Sequence, residues 1–148
     1  MKIIVRYEVS AARRYESAVK QIVNQAVKII QCPRNVAISI SFIGDKKMRA
    51  INKKYRGKDK TTNVLSFSTL TPTPLPGGEG RVRGDLGDIF ISFPEARREA
   101  KKYGWIMRYE IARLVLHGFL HLLGYDHEEE KEAKQMEKVE EKVLRKFT

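Results

Sequence analysis

The chain has 148 residues but only three histidines, one cysteine, one tryptophan and five prolines. A single cysteine excludes an internal disulfide. Cys32, just ahead of Pro33, reads as a small, partly buried apolar residue at a helix end. No apolar run approaches the roughly 20 residues that a membrane-spanning helix needs. The apolar start of MKIIVRYEVSAARR is too short and too charged for a signal peptide, so a cytoplasmic protein is expected. No internal repeat is visible. With 42% hydrophobic and 32% charged residues, the sequence fits one domain over residues 1–148 around one core.

Acidic residues are also scarce, 18 against 29 basic ones, for a formal net charge of +11. The excess is local. Six basic and seven acidic residues follow from Glu128 onward, so residues 1–127 carry +12. The densest stretch is Lys46–Lys60, where Lys46, Lys47, Arg49, Lys53, Lys54, Arg56, Lys58 and Lys60 face Asp59 alone. Arg81, Arg83, Arg97, Arg98, Lys101 and Lys102 add to it. Charge of this kind can serve solubility alone. A one-sided excess in the part of the chain that holds the three histidines points instead to a polyanion, with RNA or DNA as the default.

Periodicity gives the elements. Ile3–Val9 alternates and is β-branched, a strand; Tyr15–Ile30 carries a helical apolar stripe; Val36–Ile43 alternates again. Gly44-Asp45 supplies a turn and an N-cap for a helix through Met48, Ile51 and Tyr55 that ends at Arg56-Gly57. Asn63–Ser68 is a third strand. Thr69–Gly84, with three prolines and four glycines, reads as a long loop, and Asp85–Ser92 as the fourth strand. Ser92 and Glu95 form a capping box around Pro94 and open a helix to about Lys102. Trp105–Leu123 is apolar almost all round in its second half, the mark of a buried helix. Glu128–Phe147 is a charged helix with one apolar stripe. The expectation is an α+β fold: a four-stranded mixed sheet with about five helices packed on it, the Trp105–Leu123 helix central.

All three histidines fall in one run, HGFLHLLGYDH, as His117, His121 and His127. On a helix, His117 and His121 lie about 6 Å apart along the axis and roughly 40° apart in rotation, so both can reach one ion. Gly124-Tyr125-Asp126 looks like a helix stop and reversal that returns His127 to the same point. Three neutral nitrogens with an open fourth position build a catalytic zinc site. Two histidines at this spacing can also sit at a core edge, bonded to backbone. The third histidine, and the lack of any elsewhere, favour metal. The residue after His117 is Gly118, where HExxH zinc peptidases carry their glutamate base. That leaves the proton acceptor unassigned: Asp126 and Asp88 are candidates, each better suited to a supporting or capping role, and Gly118 allows a close approach of another element.

The histidine run closely resembles the H-G-x-L-H-L-x-G-Y-D-H signature of the YbeY family of metal-dependent endoribonucleases. The segment from Tyr55 to Phe67 (YRGKDKTTNVLSF) resembles that family's Y-R-x-K-D-x-x-T-[DN]-V-L-S-F-P block, and Leu86-Gly87-Asp88-Ile89 its L-G-D-I strand. The resemblance implies a zincin-like fold, one zinc ion per chain held by His117, His121 and His127, and a catalytic Arg56. It implies ribosomal RNA as substrate, in small-subunit 3′ end maturation and ribosome quality control, with the small ribosomal subunit as partner. Asp59, Thr62 and Asn63 would shape the pocket mouth. Ser68 replaces the usual proline, and the Thr69–Gly84 loop looks long. Two other readings remain: a zinc hydrolase of peptides or small molecules, and a non-catalytic, metal-stabilised ribosome assembly or RNA-binding factor.

Overall fold

The computed structural model describes residues 1–30, 32, 35–68, 85–125 and 128–147. The expected loop Thr69–Gly84 lies outside them, and so do Asp126 and His127. Four strands, β1 (Lys2–Tyr7), β2 (Ala37–Ile43), β3 (Val64–Ser68) and β4 (Asp85–Ser92), make one sheet in the order β1-β2-β4-β3. β1, β2 and β4 run parallel, and β3 pairs antiparallel with β4 at the edge. Parallel neighbours need a crossover. Helix α1 (Glu16–Ile30) supplies it between β1 and β2. The sheet is mixed and the α-helices among the described residues number five, as the sequence pattern predicts.

Alternation along the strands sorts the two faces. Ile38, Ile40 and Phe42 of β2 and Ile89 and Ile91 of β4 join the larger core with α1, with α3 (Phe93–Tyr103) and with α4 (Met107–Leu122). The opposite face holds a smaller cluster of Ile43, Met48, Ile51 and Phe67, with Tyr55, Leu65 and Phe90 packed against it. Helix α2 (Asp45–Arg56) covers that face and ends at Gly57, a left-handed cap at φ 71°. Ser92 caps α3 by accepting from the Glu95 N–H, as its capping box predicts.

Helix α4 is buried at ten of its sixteen residues, among them Leu114, Val115, Leu116, Phe119, Leu120 and Leu122. It is the central helix. Helix α5 (Glu130–Arg145) closes over it through Met136 and Val143, with Phe147 just beyond its end.

One element differs from the pattern. β1 ends at Tyr7, and a 3-10 helix, Ser10–Tyr15, precedes α1. The Glu8 N–H still donates to Phe42 O, and the Ala12 N–H then donates back to Val9 O. The alternation had run on because Val9 packs against the same core from outside the sheet.

Candidate metal centre

His117 and His121 lie on the last two turns of α4 and face each other. Their Nε2 atoms are 3.1 Å apart, and the rings meet edge to face at 76°. Two nitrogens bound to one tetrahedral zinc at about 2.0–2.1 Å stand roughly 3.3 Å apart. The observed spacing therefore fits a shared ion with a small adjustment. The second nitrogen of His117 is fixed as well, because Nδ1 lies 2.8 Å from Oε1 of Glu140 on α5. A carboxylate only accepts, so Nδ1 carries the hydrogen and Nε2 is the nitrogen turned toward His121. To share an ion, His121 must likewise present the lone pair of its Nε2. Both nitrogens converge on one point.

After His121 the helix stops as the sequence predicts. Gly124, at φ 98°, turns the chain, and the Tyr125 N–H donates back to Leu120 O. His127, the expected third ligand, lies outside the described residues. Among those residues no group of three metal-ligating side chains occurs.

Two serines of β3 dock the helix. Ser66 Oγ donates to Gly118 O at 3.2 Å and Ser68 Oγ to Leu122 O at 3.4 Å. Two strand residues advance about 6.7 Å and four helical residues about 6 Å, so the two repeats stay in step. Ser68, which departs from the family pattern, belongs to this seam. Gly118 makes it possible. A Cβ there would stand 2.8 Å from Ile89 Cγ2 and 3.1 Å from Ser66 Oγ. A glutamate at this position, as in HExxH enzymes, would have to displace the sheet.

Arg56, the last residue of α2, is exposed and lies at the edge strand. Its Nη2 donates to Ser66 O at 2.9 Å, and its guanidinium sits 4.8 Å over the Phe67 ring. Ser66 is thus the link between Arg56 and the helix of histidines. Among the described residues no carboxylate pairs with Arg56.

Other expected residues engage partners of their own. Gly87 and Ile89 pack toward α4, at Leu122 and at the Gly118 position, so Asp88 between them faces away from the histidines. Asp59 pairs with Arg49 and Lys53, and the Arg49 hydrogen bond holds its carboxyl below the usual range. Asn63 donates to Glu99 of α3. The sequence reading missed Glu140. Its signal was a carboxylate in the buried stripe of α5, four residues after Met136 and three before Val143.

Fold and site together define an α+β protein whose central helix carries a converging histidine pair beside an edge strand. The family model described as "Endoribonuclease YbeY" matches residues 4–148, and the chain belongs to this family. It is 40% identical to the Endoribonuclease YbeY of a Geobacillus species, over 87% of this chain and 84% of the relative. It is 38% identical to that of a Sulfurihydrogenibium species, over 99% and 93%. The solution structure of a Thermotoga maritima protein superposes with a TM-score of 0.64 at 25% identity, over 98% of this chain and 88% of the other.

Proposed function

We propose that this protein is a zinc-dependent, single-strand-specific endoribonuclease of ribosomal RNA processing, acting in the cytoplasm on the 3′ end of small-subunit RNA and in ribosome quality control. The observation that carries the reading is the 3.1 Å convergence of His117 and His121 Nε2 on the central helix, in a chain of the Endoribonuclease YbeY family. His127 completes the proposed ligand set for one zinc per chain. A zinc ion held there supplies a water of lowered pKa and a Lewis acid for a phosphoryl oxygen.

The chain's own residues do the rest. Arg56 offers a planar guanidinium whose remaining donors suit the non-bridging oxygens of a phosphodiester, where charge grows in the transition state. Phe67 and Ser66 O hold that guanidinium at the β3 edge. The eight basic residues of Lys46–Lys60 are all exposed, on and just after α2, and supply the attraction for the RNA backbone. No described helix is long and apolar enough to cross a membrane.

The test is turnover of a labelled single-stranded RNA by highly purified protein. Cleavage should stop with chelator and return with zinc, and His121→Ala should lose most of the zinc while the far-ultraviolet spectrum stays native. Binding without turnover would leave a non-catalytic assembly factor. Cleavage of peptides instead of RNA would favour the hydrolase reading, which the crowding at Gly118 already opposes.

A further inference from the structure

Helix α5 is polar on most of its surface and buries Met136 and Val143. Glu140 lies between these two on the same stripe, its side chain only 24% exposed. A carboxylate withdrawn from water needs a strong partner. Its partner here is Nδ1 of His117. One turn before His117 on α4 stands Arg113. It is held in turn by Glu99 and Glu110 at 3.2 and 2.8 Å. The last described helix is therefore tied to the helix of histidines by the bond between Glu140 and His117.

We propose that Glu140 is a positioning residue of the metal centre. Its carboxylate selects the Nδ1–H tautomer of His117 and fixes the ring plane, so that Nε2 aims its lone pair at the ion. Helix α5 thereby becomes part of the site. The inference rests on the reading of the histidine pair as a metal centre. A histidine ring in water exchanges between tautomers and rotates freely, and which nitrogen is available is set by the bond that the other makes. Without Glu140 less of the choice of tautomer and rotamer is made before the metal arrives. The linkage is reciprocal, so zinc should also protect α5 amides from hydrogen exchange.

The experiment uses the full chain and zinc alone. Zinc affinity is measured by competition with a chromogenic chelator for the parent, Glu140→Ala, Glu140→Gln and Glu137→Ala. Outer ligands of this type are typically worth about 10–100-fold in metal affinity, and Glu140→Ala should weaken binding by that much. Glu140→Gln, whose amide oxygen still accepts from Nδ1–H, should lose less. Glu137→Ala removes the same charge from an exposed position of the same helix and should bind as the parent does. Ring nitrogen-15 spectra of zinc-free protein give the second readout, with His117 in the Nδ1–H form in the parent and in Glu140→Gln but not in Glu140→Ala. A folded Glu140→Ala with parental zinc affinity overturns the proposal. If that variant does not fold, an Nε2–H tautomer in the zinc-free parent overturns it instead. Failure of the metal reading looks different: the parent takes up no zinc, and the proposal falls with it although the tautomer still answers to Glu140.

Discussion

A helix-end arginine and a catalytic one make different demands on Arg56. Interaction with the α2 dipole requires only a positive charge, which lysine satisfies. Stacking on Phe67 while donating to Ser66 O and to phosphate requires a planar fork, which lysine lacks. Arg56→Ala should keep its zinc and its fold and lose RNA cleavage by about 10²–10³, the usual scale for one transition-state donor. Arg56→Lys should be impaired as well. Native cleavage by either variant would leave Arg56 as a helix cap. Gly118 is the opposite case, a residue that acts through what it lacks. Alanine normally gains about 1 kcal/mol over glycine inside a helix. Here its methyl would press on the branched Ile89 Cγ2 at 2.8 Å, and overpacking of this kind costs about 1–3 kcal/mol. Gly118→Ala should therefore lower Tm in a thermal melt and weaken zinc binding, since α4 must move from the Ser66–Ser68 seam. A raised Tm with unchanged zinc affinity would show that the seam yields freely.

Among the elements, those with a long periodic signal were legible in the sequence. The α4 segment, apolar on most of its surface, implies burial, and the four alternating segments make the sheet. The i, i+4 spacing placed both histidines one turn apart on one side of α4, because helix geometry fixes that backbone spacing. What escaped was set by contacts between elements distant in the chain. Glu140 meets His117 across 23 positions, and the step between Ser66–Ser68 and Gly118–Leu122 exists only once strand and helix are side by side. The direction of Asp88 was not legible in the sequence, because its face depends on the packing of Gly87 and Ile89. Glu110, in the first turn of α4, is a further surprise, fully buried and touching Arg113. Burial pushes its carboxyl up to about 7, with nearby Glu99 adding to the rise and Arg113 opposing it. The native state then binds a proton that the unfolded chain releases near pH 4.5, so this group makes stability fall as pH rises from about 4.5 to 7. Denaturant unfolding of zinc-free protein across that range should show the decline, and Glu110→Gln, neutral throughout, should reduce it. An identical slope in parent and variant would assign the pH dependence to other groups.

At the scale of the whole molecule, the densest run of charge and the site occupy different faces of one sheet. Helix α2 and its basic residues cover one face, α4 and the histidines lie on the other, and the β3 edge with Arg56 is the corner between them. An RNA strand reaching the histidines from α2 must pass that corner, and most of its affinity would come from phosphates. For single strands, log affinity falls against log salt by about 0.7 per neutralised phosphate, so about four contacts give a slope near −3. Lys54 and Lys58 are the informative pair to remove, since Lys47, Arg49 and Lys53 are already engaged with Glu8 and Asp59. Changing both to glutamine should weaken every RNA sequence alike, because phosphate contacts carry no sequence information. It should also flatten the salt slope by about 1.4 if each lysine neutralises one phosphate, with zinc content unchanged. Fluorescence anisotropy of a labelled oligonucleotide from 50 to 200 mM salt, or about that range, measures both effects. An affinity indifferent to salt, or a double variant as tight as the parent, would make the α2 charge a solvated surface and send the RNA to the histidines by another route.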